Sequence, residues 1–192
     1  MEIDFEYVSF DTLDKELQEK VNIFRRNTSS ISGNTRTDEE WAVHNDKFCS
    51  DKDIKKWVVV LHKDKVIGLG AVFARQIMFL GKSIKLGGVG KIRVAEEYRK
   101  LGVASRIMVI VMDELNKVGV DVALLCTNTN SFLVDFYRKY GFRLLGRPYK
   151  FKGKSGKEYM VEEGMLVPID SKERYHLIMQ SGELLDIGLG NW

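Results

Sequence analysis

The stretch "RVAEEYRKLGVASR" (Arg93–Arg106) constrains the fold most, because it joins an apolar strand to an apolar helix through cations, small residues and one glycine. Upstream, "WVVVLH", "VIGLGAVFARQIMFL" and "SIKLGGVGKIRVA" are strand-like runs separated by polar turns at Lys63-Asp64-Lys65 and Gly81-Lys82, the pattern of a three-strand antiparallel meander. Downstream, Ala104, Ile107, Met108, Val111, Leu115 and Val118 recur at helical spacing, and Gly119 stands where a C-cap belongs. The segment Arg99–Ala104, of the form R-x-x-G-x-A, therefore falls at the first turn of a helix. There the backbone N–H groups lack intrahelical partners and the helix dipole is positive, so an anion is stabilised. Gly102 and Ala104 leave the backbone accessible, and Arg99 and Lys100 add full charge. For this six-residue pattern alone, a loop of solvated cations is an equal alternative.

Other phosphate-binding patterns fail. "GKS" occurs at Gly81 and Gly153, but the positions five residues earlier hold Gln76 and Pro148 instead of the glycine a phosphate loop requires. "GLGAVF" begins like a dinucleotide fingerprint, yet Phe73 replaces the third glycine and a strand follows.

The rest of the chain gives the context. Ile3, Phe5 and Tyr7 alternate as a strand does, and Leu13, Leu17, Val21 and Phe24 then mark one face of a helix. Thr37 and Glu40 form a capping-box pair before a second helix. "VDVALLCT" is a buried strand, "NSFLVDFYRKYG" a short helix with Asn130 as N-cap, and "FRLLGR" another strand. The basic "RPYKFKGKSGK" is expected to be a solvated hairpin loop, and "EYMVEEGMLVPI" (Glu158–Ile169) a single strand closing the sheet. Gly87, Gly88 and Gly90 inside a strand point to a bulge or to a close backbone approach. At 192 residues with no linker or repeat, one domain spanning 1–192 is expected.

Thirty cations against twenty-seven anions make a mixed surface, which argues against a nucleic-acid partner. The most apolar central run, Ile107–Met112, is far too short to span a bilayer. The acidic start is unlike an export signal, and two separated cysteines suit a reducing compartment, so a cytoplasmic protein without membrane attachment is expected. A homodimer stays open. His44, His62 and His176 lie far from any other ligand at metal-binding spacing, so no metal is expected.

The Arg99–Ala104 turn is answered downstream by Asn130, Leu133, Phe136, Tyr137, Gly141 and Phe142, in the form N-x-x-L-x-x-F-Y-x-x-x-G-F. Together these motifs resemble the GNAT superfamily of N-acetyltransferases, and the likeness in element order runs from Trp57 to about Arg147. The resemblance implies an α+β fold: a mixed, mostly antiparallel sheet flanked by helices and splayed between its fourth and fifth strands. It also implies acetyl-CoA as co-substrate. Its pyrophosphate would be held by Arg99, Lys100, Leu101, Gly102, Val103 and Ala104, and its pantetheine arm would lie along the strand end at Ile92 and Val94, with Asn130 nearby. The backbone N–H near Val94 would face the oxyanion. Tyr137 would be the general acid for the departing thiolate, with Glu96 and Glu97 as candidate bases. The bland readings are a packed aromatic for Tyr137 and surface charge partners for the two glutamates.

The tail, "GMLVPID" followed by "GELLDIGLGNW", is similar to that of aminoglycoside 2′-N-acetyltransferases. The aromatic plane of Trp192 with the carboxylates of Glu183 and Asp186 suits a cationic or sugar-like acceptor; the alternative is a tail that only covers an apolar sheet edge. Two acids of that family are absent, since Gly90 and Gly190 stand in their places. The reading is therefore an N-acetyltransferase for a small amine-bearing, aminoglycoside-like molecule; the alternative is a non-catalytic acyl-CoA-binding or sensing module.

Overall fold

The computed structural model describes residues 4–28 and 37–192. Ile3 of the first expected strand, and most of the polar segment before Thr37, lie outside them. The meander forms as its alternation requires: β2 (Ile54–His62), β3 (Lys65–Phe79) and β4 (Lys82–Val94) pair antiparallel in sequence, with β1 (Glu6–Phe10) added to the β2 edge. The chain then crosses through α3 (Val103–Val118) to β5 (Val122–Cys126), which pairs parallel with β4. With β6 (Arg143–Leu144) and β9 (Gly164–Pro168), the main sheet has the order β1-β2-β3-β4-β5-β9-β6. This is the mixed, mostly antiparallel α+β architecture implied by the motifs.

Each face of the sheet carries its own core. Val58, Val60, Val72 and Val89 meet Ile107, Met108, Val111 and Leu115 of α3, and the short α4 (Leu133–Arg138) adds Val134 and Tyr137. On the opposite face, Trp57, Leu69, Phe73, Leu86 and Leu124 pack with Val21 and Phe24 of α1 (Lys15–Asn27). Local signals set the helix ends. Asp14 accepts from the Leu17 N–H at 2.8 Å; Thr37 and Glu40 form the expected capping box of α2 (Asp38–Lys47); Gly119 caps α3 at φ +68°.

Three sequence expectations need correction. The segment 147–157 is not a solvated loop: β7 (Tyr149–Lys152) buries Tyr149 and Phe151 completely or nearly so, at 0% and 1% exposure, and only its turn is open. Nor is 158–169 one strand. β8 (Glu158–Val161) pairs with β7 in a second sheet, while β9 belongs to the main sheet. The second sheet is completed by β10 (Leu185–Leu189), which follows α5 (Lys172–Gln180) and runs parallel to β7; neither α5 nor β10 is expected from the sequence. Finally, Asn130 is not an N-cap. Phe132 holds that position in helical conformation, Asn128 accepts the Asn130 N–H at 2.9 Å, and Ser131 accepts the Leu133 N–H. The local side-chain turn at Asn128 competes with a cap at 130.

Candidate acetyl-CoA site

The Arg99–Ala104 turn has the geometry its sequence demands. A short 3-10 turn (Glu96–Tyr98) leads out of β4, Lys100 takes φ +64° and Gly102 φ +81°, and α3 starts at Val103 with no side-chain cap. Among the described residues, the N–H groups of Lys100, Leu101 and Gly102 find no acceptor. A Cβ on Gly102 would meet nothing within 4 Å. The glycine is thus required by its left-handed conformation rather than by crowding, and the space before the helix is open to a ligand.

The sheet is open beside this turn. Pairing of β4 with β5 ends at the rung Gly88–Leu124, so Val89–Val94 keeps only β3 as a neighbour and the two strands splay apart. Opposite Gly70, β4 carries two residues, Lys91 and Ile92, and Lys91 stands at φ +57°. This is the bulge that the glycine run announced, although a lysine bears the left-handed conformation. Beyond it, Ala95 donates its N–H to Ile67 at 2.8 Å. Antiparallel alternation then turns the N–H and C=O of Val94 the other way, into the splay. Arg99 Nε takes that carbonyl at 3.3 Å, which holds the guanidinium beside the open edge.

At the apex of the splay lies Trp192, only 6% exposed. Its indole N–H donates to the Leu124 carbonyl at 2.9 Å, and its ring stacks on Phe73 with 5.8 Å between centroids. The ring occupies the room left by two missing side chains: a Cβ on Gly88 would fall within the indole, and one on Gly90 would lie 3.0 Å from the Trp192 backbone. The glycines do mark a close approach, by the chain's own tail. They also leave no room for an acid at position 90 while the tail is docked. Arg75 latches that tail, donating to the carbonyls of Ile187, Leu189 and Gly190 at 2.8, 2.6 and 3.1 Å, and to Cys49 Sγ at 2.8 Å, with its guanidinium 4.3 Å from the indole centroid. Burial pushes the Cys49 thiol pKa up, and Arg75 opposes this.

Tyr137 sits on α4, 8% exposed, with its ring against Phe136 and Phe142. Its hydroxyl has no hydrogen-bond partner among the described residues, and burial pushes its pKa up to about 12. Tyr140 ties α4 to the first turns of α3 through a 3.1 Å hydrogen bond to the Ser105 carbonyl. Glu96 and Glu97 are exposed on the 3-10 turn and form no ion pair among the described residues. Asn130 is exposed on the loop before α4. Of the tail acids, Glu183 is exposed, while Asp186 lies 3.5 Å from Lys150 and accepts the Gly188 N–H. Neither acid shares the burial of Trp192 at the splay.

One cluster escaped the sequence reading. Lys91 Nζ is 3.2 Å from Asp51 Oδ1, Arg25 Nη1 is 2.5 Å from Asp51 Oδ2, and Arg93 donates to the carbonyls of Arg25 and Thr28 at 3.3 and 3.2 Å. These residues are far apart in sequence, and only the bulge at Lys91 was signalled. Among the described residues, no group of three or more His, Cys, Asp or Glu is placed to hold a metal.

No curated protein matches the sequence. Solved structures do match the fold. A GNAT family N-acetyltransferase (YhbS) from Escherichia coli, in complex with CoA, superposes with TM-score 0.59 at 15% identity over 98% of this chain and 92% of that one. A GNAT family acetyltransferase from Brucella melitensis, in complex with acetyl-CoA, gives TM-score 0.51 at 14% identity over 74% and 84%. A probable N-acyltransferase from Enterococcus faecalis gives TM-score 0.56 at 16% identity over 77% of this chain, which spans 34% of that protein's length. The sequence also matches the family description "Acetyltransferase (GNAT) domain" over residues 18–145, from within α1 through β6. With the open turn, the splayed strands and this match together, the chain belongs to the GNAT acetyltransferase family.

Proposed function

We propose that residues 1–192 act as one acyl-CoA N-acyltransferase domain that transfers acetyl directly from acetyl-CoA to a small amine. The carrying observation is the conjunction of unpartnered N–H groups at Lys100–Gly102 with an open β4 edge that presents the Val94 N–H. The pyrophosphate is bound by the Arg99–Ala104 turn through those N–H groups, the helix dipole and the two cations. The pantetheine arm lies along Ile92–Val94 as an added strand would. The two GNAT structures holding CoA and acetyl-CoA support this reading.

In the reaction, the amine lone pair attacks the thioester carbonyl, the C–N bond forms, and the C–S bond breaks. The Val94 N–H stabilises the oxyanion, and the thiolate leaves beside Tyr137. A phenol held protonated by burial is a hydrogen-bond donor and proton source throughout the physiological range. The acceptor amine must shed a proton first, which for a lysine-like amine costs about 4 kcal/mol near pH 7.4. Glu96 and Glu97 are the candidate bases closest in sequence to Val94, reaching the amine through water.

A specific observation also favours a non-catalytic acyl-CoA-binding module: Gly90 carries no acid and the tail fills its space. Titration calorimetry with acetyl-CoA and CoA, followed by a thiol-release assay across an amine library, decides between the two. Binding with no thiol release above the water blank for any amine would favour the module; absence of binding would refute both.

A further inference from the structure

The face of β4 turned away from α3 is cationic where the splay opens. Lys91, at the bulge, has a side chain only 19% exposed, and its ammonium shares Asp51 with Arg25; the side chains of Arg25 and Asp51 are 30% and 36% exposed. Arg93, on the same strand, ties in the end of α1. Asp53 accepts the Ser50 N–H at 2.9 Å, and Arg75 is used in latching the tail. Among the described residues, Lys91 and Arg25 thus share the single carboxylate of Asp51.

Half-buried charges are normally balanced, because an unpaired ion is costly to desolvate. Here the excess sits three residues from Val94, roughly 10 Å along the strand. It also lies on the face opposite α3 and α4, beside the splay into which the Val94 N–H turns. Lysine is disfavoured at φ +57°, where glycine or asparagine is at ease. Such an outlier fits a position retained for its ammonium.

We infer that Lys91 and Arg25 form an anion subsite of the acceptor pocket, so that the acetylated amine belongs to a molecule carrying a carboxylate or phosphate. The inference rests on the proposed acetyl transfer and narrows its acceptor. An anionic group docked between the two cations completes the charge balance and places the amine toward the splay. The same cations lower the pKa of an approaching ammonium, which favours the nucleophilic free base. Burial already pulls the Lys91 pKa down, with Asp51 opposing. A polycationic acceptor meets repulsion at this wall.

The test uses matched amines: glucosamine 6-phosphate against glucosamine, aspartate against aspartate diamide, and kanamycin as a polycation. Each is titrated calorimetrically into the protein with and without saturating CoA, and each is assayed for thiol release from acetyl-CoA. At least one anionic member should bind, and show kcat/KM, tenfold or more better than its uncharged partner. Lys91→Gln and Arg25→Gln should each remove most of that advantage while leaving the uncharged partner within about twofold. Asp51→Asn, which frees both cations, should tighten anionic binding at least threefold and guards against a misfolded Lys91 variant. Equal or better binding of the uncharged or polycationic members overturns the subsite, as does an anionic preference that survives both cation substitutions, or no binding at all. If the preference holds in calorimetry but no amine releases thiol, the transfer reading fails and the subsite stands.

Discussion

The indole at the apex of the splay gives the sharpest quantitative test of this structure. Trp192 is 6% exposed, and a tryptophan buries up to about 250 Å², worth about 6 kcal/mol at ~25 cal/mol per Å² as an upper bound. Truncations of buried Trp to Ala cost about 3–5 kcal/mol. The Leu124 carbonyl also loses its 2.9 Å donor, but water reaching the vacated apex offsets part of that, so about 3–5 kcal/mol is expected for Trp192→Ala. Gly88→Ala attacks the same contact from the other side. Its methyl group would sit inside the ring, with Nε1 only 2.6 Å away, so the ring must leave or the strand must shift. The cost should approach that of losing the ring. If both act by evicting one side chain, Gly88→Ala should cost less than about 0.5 kcal/mol in the Trp192→Ala background, a non-additivity of 2 kcal/mol or more. Urea unfolding followed by far-UV circular dichroism measures all four proteins. For a chain of this size the single variants should also lose roughly 6–20 °C in Tm. An equal cost of Gly88→Ala in both backgrounds, or a Trp192→Ala protein within 1 kcal/mol of the parent, would refute the packing.

Further expectations concern the site. Arg99→Glu, beside the open edge, should raise the acetyl-CoA Kd at least tenfold by calorimetry with an unchanged circular dichroism spectrum; an unchanged Kd would remove the turn from the binding site. Tyr137→Phe should lower turnover by about 10²- to 10⁴-fold with acetyl-CoA affinity retained, and parental turnover would assign the proton to water. Because burial raises the folded-state pKa of Tyr137 from 10.0 to about 12, the folded chain keeps a proton that the unfolded chain loses between those values. Its contribution to stability is therefore fully present below pH 10 and falls by up to about 3 kcal/mol as pH rises toward 12. Urea midpoints at pH 9 and 11.5 should drop less in Tyr137→Phe than in the parent.

Sequence and structure agree where interactions are local and part where they are not. The meander, α3 and its Gly119 cap follow from period, turn residues and a glycine conformation, each legible within a single element and its adjoining turn. β7 carries the right signal, since "YKFK" alternates, but three lysines and three glycines from Gly146 to Gly156 mask two buried rings. Its partner β10 lies about 35 residues away, beyond the reach of any pattern. Among the site residues, the Arg99–Ala104 turn was legible because a helix start has a fixed chemistry. The Trp192 contact with Gly88 and the Lys91–Asp51–Arg25 cluster were not, because each joins segments brought together only by the finished sheet.

The Arg75 latch bears on the order in which this molecule assembles. Its three carbonyl contacts close loops of 112 to 115 residues, whereas the meander pairs strands joined by tight turns. Chain entropy favours the short closures first. The meander and α3 can thus collapse as a nucleus while residues 185–192 are still searching, and the tail docks onto a preformed surface. Substitutions at Arg75 or Trp192 that weaken this late contact then appear mainly as faster unfolding, with refolding rates nearly unchanged. The same entropy argument predicts that β10 lifts from β7 before the main sheet yields, which hydrogen exchange would show as early labelling of Leu185–Leu189.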